Sequence, residues 1–173
     1  MSNPVDARIQ AVPSSSPRVC VIILNWNSWQ DTVRSIVSVF ESDYPHFDLL
    51  IMDNGSHDDS VLKIAAWLVE HFGETDLCTT TEVKYVKINA QQKDIALTYL
   101  VSDQNLGFSG GCNWAVKFAF RNSKPDYFFF LNNDALIDKG CISKCLESGE
   151  RGAAIVGSLI KSIDGKYFLF VGA

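Results

Sequence analysis

The stretch Val19-Cys20-Val21-Ile22-Ile23-Leu24-Asn25-Trp26-Asn27 reads as a buried strand followed by its polar exit. Its β-prone apolar residues follow one another without alternation, which suits a central strand covered by helices on both faces. Downstream, Ser28 and Asp31 form an S-x-x-D helix start. Val33, Ile36, Val37 and Phe40 then recur at helical spacing, the stripe of a face packed on a sheet. Tyr44-Pro45 stops that helix. A second strand, Phe47 to Met52, opens into Asp53-Asn54-Gly55-Ser56. Ser56 and Asp59 repeat the start signal, Val61, Ile64, Ala65, Leu68 and Phe72 give another stripe, and Gly73 stands where a terminal glycine ends a helix.

Further along, Val83 to Ile88 and Ile95 to Val101 are β-like segments separated by polar Asn89 to Asp94, a candidate hairpin. The loop Ser102 to Gly111 feeds a helix from about Cys112 to Arg121, with Val116, Ala119 and Phe120 as its expected buried face. An aromatic strand, Tyr127 to Leu131, ends in Asn132-Asn133-Asp134. A short helix near Ile142 to Leu146 and a strand from Ala154 to Ile160 follow. Asp164-Gly165 then signals a turn into a returning strand, Lys166 to Val171. Upstream, Pro4, Pro13, Ser14, Ser15, Ser16 and Pro17 mark residues 1–17 as a flexible leader to a domain over residues 18–173.

The order β-α-β-α-β-(β)-α-β is that of an α/β fold with a largely parallel sheet and helices on both faces. Ligands of such sheets sit beyond the carboxyl ends of the strands. Polar groups cluster there: Asn25 and Asn27, Asp53 and Asn54, Asp103 and Asn105, and Asn132 to Asp134.

Composition narrows the function classes. A chain of 173 residues with 47% hydrophobic and 20% charged residues is one globular domain's worth of sequence. Its net charge of -5, with 15 scattered Lys and Arg, leaves no electrostatic footprint for nucleic acid or anionic lipid. The five cysteines, Cys20, Cys78, Cys112, Cys141 and Cys145, contain no CxxC pair. Cys141 and Cys145 are spaced to share a helix face, but with no flanking histidine a reduced cytosolic protein is the simpler reading than zinc. The apolar runs are too short to span a bilayer and the start of the chain has no apolar signal region, so a cytoplasmic location is expected.

Each candidate group has a functional and a plain reading. Asp134, after what is expected to be a buried strand, could hold Mg²⁺ or Mn²⁺, which take one or two carboxylates and complete their shell with phosphate oxygens and water; such an ion would neutralise a departing diphosphate. The plain reading is a loop aspartate capping the next helix. Asp53 could accept a hydrogen bond from the imide N–H of uracil or thymine, or from guanine N1–H, and would repel cytosine; plainly it is a turn residue in Asp-Asn-Gly-Ser. Trp26 could stack on a base while Asn25 and Asn27 bond to base or ribose, or it packs at a strand edge. The run Asn105-Leu106-Gly107-Phe108-Ser109-Gly110-Gly111 could hold anionic or sugar oxygens at a helix start, or form a tight turn. It is neither a GxGxxG nor a Walker loop. His57 lies in the Asp53 loop as either a ligand contact or an exposed turn residue, and no G-x-S-x-G supports a hydrolase.

In order, these segments resemble the donor half of glycosyltransferase family 2, with the rhamnosyltransferase-like members closest. The resemblance rests on Val21 to Asn27, Ile51 to Ser56, Asn105 to Asn113 and Phe130 to Asp134, covers about Val19 to Asp138, and continues faintly through Gly157 and Gly172. It implies a GT-A-type, Rossmann-like nucleotide-diphospho-sugar transferase fold. It also implies an inverting enzyme that uses Mg²⁺ or Mn²⁺ and a nucleotide diphosphate sugar, UDP- or dTDP-linked. The acceptor would be a glycan or a lipid-linked sugar, in cell-envelope polysaccharide biosynthesis.

Position by position, Asn25-Trp26-Asn27 matches the first base-binding loop and Asp53 the acidic base reader. Asn105, Gly107 and Asn113 match the loop and helix that shape the donor pocket. Asn132-Asn133-Asp134 occupies the D-x-D position, Asn132 replacing its first aspartate and Asp134 matching the metal carboxylate. Cys112 stands where many relatives carry arginine. The general base of the family lies further along the chain, so it is expected downstream of Ala173, and the chain is expected to stop before the acceptor half. Peripheral membrane association of a parent protein and self-association of this chain, through apolar surface near Phe168 and Phe170, stay open. So do two competing functions. A sugar-nucleotidyltransferase would need a basic, glycine-rich first loop, which Asn25-Trp26-Asn27-Ser28 lacks; a non-catalytic nucleotide-sugar-binding module would need nothing more than is present.

Overall fold

A computed structural model describes residues 16–73, 75–79, 84–90 and 95–171. Most of the expected leader, Gly172 and the side chains of Phe168 and Phe170 lie outside the described residues. The elements run β1 (Val19–Asn25), α1 (Trp29–Phe40), β2 (Phe47–Asp53), α2 (Ser60–Phe72), β3 (Thr75–Thr79), β4 (Lys84–Ala90) and β5 (Ile95–Val101). They continue with α3 (Gly107–Asn122), β6 (Tyr127–Asn132), α4 (Cys141–Glu150), β7 (Leu159–Lys161) and β8 (Phe168–Val171).

Six strands form one sheet in the order β3-β4-β5-β2-β1-β6, and β7 pairs with β8 in a separate hairpin. The strands β5, β2, β1 and β6 are parallel, while β4 and β3 add antiparallel ribbons at one edge. The α/β reading therefore holds, and so does the expected hairpin, as β4 and β5. The short strand β3 was not expected, because Thr-Asp-Leu-Cys-Thr has only five residues and little apolar patterning.

Alternate residues of the central strands feed two cores. Val21, Ile23, Leu49, Ile51, Leu97 and Tyr99 pack with Ile36 and Val39 of α1, Ile64 and Leu68 of α2, and Ile142 and Leu146 of α4. On the other face, Cys20, Ile22, Leu50, Met52 and Leu100 pack with Ala115 and Ala119 of α3. Ile64 and Leu68 are wholly buried, and burial of each such side chain stabilises the fold by about 1.5–3 kcal/mol. Cys20 lies so deep that burial first, and Asp48 second, push its thiol pKa up to about 12.

Four local expectations need correction. The inward face of α1 carries Thr32, Ser35, Ile36 and Val39, whereas Val37 is exposed. A purely apolar stripe misses hydroxyls that are buried because backbone carbonyls and amides need them. Helix α3 begins at Gly107 rather than near Cys112, and it buries Gly111, Cys112, Ala115 and Ala119 while Phe120 is exposed. Strand β6 is the sheet edge and not a buried strand, with Tyr127 and Phe130 exposed. The strand expected over Ala154–Ile160 is limited to Leu159–Lys161, with Ile155 in solvent. Its turn is as expected: Gly165 has φ +71°, and Asp164 accepts bonds from the Ser162 hydroxyl and the Lys166 amide that lower its pKa.

Candidate functional site

Strand register brings the polar exits together. Asn25 is paired with Asp53, Asp53 with Val101, and Leu24 with Asn132, so all four parallel strands end along one edge. From β1 the chain steps outward through β2 to β5, with α1 and α2 on one face, and then crosses by α3 on the other face to place β6 beside β1. The order therefore reverses between β1 and β6. A crevice for ligands opens at such a reversal, and Asn25 to Asn27 flank it on one side, Asn132 to Asp134 on the other.

Beneath the crevice runs a continuous hydrogen-bond network. Asp53 is wholly buried. Its carboxylate accepts from the Ser56 amide at 2.8 Å, the Ser56 hydroxyl at 2.8 Å and Asn25 Nδ2 at 2.7 Å. Ser56 Oγ accepts in turn from the Asn27 amide at 2.9 Å. Asn25, also wholly buried, takes a bond on Oδ1 from the Thr32 hydroxyl at 2.7 Å, and Thr32 accepts from Asn133 Nδ2 at 3.2 Å. Ser35 Oγ lies 2.8 Å from the carbonyl oxygen of Asn133 and 2.5 Å from that of Ala135, holding the loop after β6 against α1. Below Asp53, Tyr99 is wholly buried and its hydroxyl has no partner among the described residues; burial, then the charges of Asp53 and Asp58, raise its pKa and keep it a phenol.

Asn54 carries the network to α3. Its Oδ1 accepts from the Leu106 amide at 3.0 Å, and its Nδ2 reaches Asn105 Oδ1 at 3.1 Å and the Gly107 carbonyl at 3.2 Å. Asn105 Oδ1 also accepts from the Gly107 amide at 2.7 Å. These side chains satisfy amides that a helix start leaves unpaired, which is why α3 begins early. Gly55 makes the close approach possible: a Cβ there would lie 2.4 Å from the Gln104 carbonyl carbon, and its φ is +73°. At Gly111 a Cβ would meet Leu24 Cδ1 at 2.6 Å, so this glycine lets α3 press onto β1.

The sequence-expected site residues thus fall into two groups. Asn25 and Asp53 are interior. Three of the roughly four acceptor positions of Asp53 are filled, and none of its surface is exposed. Trp26 is 54% exposed, and Asn27, Asn105, Gly107, Asn113, Asn132 and Asp134 are also exposed. Asn27 adopts φ +53°, and its Oδ1 accepts from the His57 amide at 2.8 Å, so His57 joins the loop through backbone. Asn133 is half-buried. Thr32, Ser35, Asn54 and Ser56 were not expected as site residues. Asn54 and Ser56 stood in the quoted motif, whereas no periodicity marks Thr32 or Ser35.

The sequence model of Glycosyl transferase family 2 matches residues 20–172. The chain belongs to glycosyltransferase family 2. Solved structures share the fold. A mannosyltransferase, PcManGT from Pyrobaculum calidifontis in complex with GDP-Man and Mn²⁺, superposes with TM-score 0.59 at 19% identity, over 90% of this chain and 39% of that one. S. aureus TarS 1-349 superposes with TM-score 0.51 at 16% identity, over 78% of this chain and 32% of that one. The same TarS fragment in complex with UDP-GlcNAc gives 0.52 at 16% identity, over 78% and 31%. At these identities the likeness is one of fold, and this family 2 chain spans about a third of the length of those it resembles. A comparison with curated protein sequences found no match.

The divalent cation implied for this fold meets a sparse donor set. Asp134 is exposed and its carboxylate has no partner among the described residues, and no cluster of three His, Cys, Asp or Glu suited to a metal occurs among them. One free carboxylate fits a magnesium- or manganese-type ion that arrives with a diphosphate, and not a cage that holds the ion alone. Among the described residues no helix is long and apolar enough to cross a membrane.

Proposed function

We propose that this chain is the donor-binding half of a metal-dependent, inverting glycosyltransferase. It would take a hexose such as rhamnose from a UDP- or dTDP-linked donor to a glycan or lipid-linked acceptor of the cell envelope, at the cytoplasmic side. The observation that carries this reading is the convergence of four polar strand ends at the reversal between β1 and β6, in a chain of family 2. The GDP-Man and Mn²⁺ bound to one neighbour of similar fold, and the UDP-GlcNAc bound to another, support the donor class.

In this proposal Trp26 stacks on the base, with Asn27 beside it. Asn105, Gly107 and the first turn of α3 bind the anionic and sugar oxygens, aided by the partial positive charge of a helix start. Asn113 and Asn132 offer amide groups to sugar or ribose. Asn25, Asp53, Asn54 and Asn133 hold these groups in place from below. Asp134 would hold the cation, which when bound supplies charge neutralisation for the leaving diphosphate. With Asn132 in place of a second carboxylate, cation and nucleotide should bind together or poorly. Proton abstraction from the acceptor is assigned beyond residue 173. This chain alone is then expected to bind donor and transfer no sugar, since loss of a positioned base costs about 10²- to 10⁴-fold and loss of acceptor positioning more.

Calorimetry with UDP, dTDP, GDP and CDP, each with and without Mn²⁺, tests the reading. UDP or dTDP is expected to bind more tightly with Mn²⁺ than without. Failure of every nucleoside diphosphate to bind at millimolar concentration would sink the proposal. Sugar transfer by the 173-residue chain at the rate of a longer parent would sink the assignment of the base.

A further inference from the structure

Helix α4 carries two thiols one turn apart, away from the crevice. Cys141 and Cys145 are both free and half-buried. A third group meets them: Ser158 Oγ lies 3.3 Å from Cys145 Sγ and 3.7 Å from Cys141 Sγ. Burial is the largest influence on Cys141 and raises its pKa; the Ser158 hydroxyl opposes this, and Cys145 adds to it. Two sulfurs and one oxygen from separate turns of chain therefore converge on one spot.

We propose that Cys141 and Cys145, backed by Ser158, form a two-thiolate site for a soft, thiophilic cation of the copper(I) class. Spacing decides between this and a disulfide. Residues four apart on a helix hold their Cβ atoms about 5–6 Å apart, whereas a disulfide needs about 3.5–4.5 Å. Closing the bond would break the helical turn, while one soft ion between the sulfurs spans the gap. Zinc asks for four nitrogen, sulfur or carboxylate ligands, and no third His, Cys, Asp or Glu completes a cluster here among the described residues. Magnesium and manganese prefer oxygen, and thiolates select copper(I). On binding, two S–H bonds break, two sulfur–metal bonds form and both protons pass to solvent, with no change of oxidation state. Because Ser158 directly precedes β7, an occupied site would pin the root of the β7–β8 hairpin to α4.

The test is an anaerobic titration of the reduced 173-residue chain with copper(I), against a chromophoric copper(I) chelator. The chain is expected to hold one ion at this site and to release two protons. Cys141→Ser and Cys145→Ser should each weaken retention by more than about a hundredfold, since even outer partners of a metal are worth about 10–100-fold. Ser158→Ala should weaken it by about tenfold. On the unmutated chain, copper(I) should shield Cys141 and Cys145 together from N-ethylmaleimide, read by peptide mass. Unshielded alkylation of both, unchanged copper(I) retention in both serine variants, or equal retention of zinc would overturn the site. So would a Cys141–Cys145 disulfide formed under mild peroxide with helical circular dichroism intact.

Discussion

The loops after β1 and β2 and the loop after β6 face the same crevice but are built differently. Around Asn25, Asp53 and Asn54 the functional side chains are buried and each is bonded to two or more partners. After β6, only Asn133 is tied down by its side chain among the described residues, while Asn132 and Asp134 stand in solvent. A motif quoted from sequence treats all of these positions alike. The contrast separates groups that shape the crevice from groups free to meet a ligand, and stability and binding measurements should divide along the same line.

The largest effect is expected from Asp53→Ala. It strands Asn25 Nδ2 and the Ser56 amide inside the protein. Losing such bonds to a charged group should cost about 2–4 kcal/mol, a fall in Tm on the order of 10 °C for a chain of this size. Affinity for UDP and CDP should fall together, because the loop that both would use is disordered. Thermal melting and calorimetry check this. A variant that keeps its Tm and loses UDP but not CDP would return Asp53 to direct base reading and erase the contrast.

Asp134→Ala should do the reverse. The carboxylate is exposed and unbonded, and surface changes of that kind stay within about 0.5 kcal/mol. Nucleotide affinity in the presence of Mn²⁺ should drop about ten- to a hundredfold, the worth of a bond to a charged group. Affinity without Mn²⁺ should not move. If Mn²⁺ still tightens nucleotide binding in the variant, Asp134 is a loop residue and the rim holds no metal carboxylate.

Much of this was legible in the chain. The unbroken apolar run Val19–Leu24 and the run Phe47–Met52, apolar but for Asp48, announced central strands, and their register put the polar exits side by side. What escaped was burial of polar groups. Thr32 and Ser35 occupy the inward face of α1 because the Asn25 side chain and two loop carbonyls need partners, a demand that only the folded chain creates. The bonds that Asp53 makes to its own turn and to Asn25 were hidden for the same reason: a carboxylate at a strand end carries no sign, in sequence, of the donors it will meet. The early start of α3 depended on Asn54, 52 residues before Leu106 in the chain. Long-range satisfaction of backbone groups has no local pattern to read.

The smallest expected effect, and the one that most sharpens the division, is that of Trp26→Ala. Trp26 lies between two asparagines that are bonded into the network, yet it is 54% exposed and belongs to neither core. If it is a stacking platform, its removal should cost about 1–2 kcal/mol of binding, the lower part of the range for a base on an aromatic ring, or roughly five- to thirtyfold in affinity. Stacking does not involve the diphosphate, so the loss should be the same with and without Mn²⁺, unlike that of Asp134→Ala. It should also fall on every nucleoside diphosphate, because each base presents a π-face. Trp26→Phe should recover most of the affinity, since a ring survives. The Tm of both variants should stay close to that of the parent chain. Should Trp26→Ala instead lower the Tm while Trp26→Phe fails to restore binding, the side chain is edge packing, and the rim would begin one residue later, at Asn27.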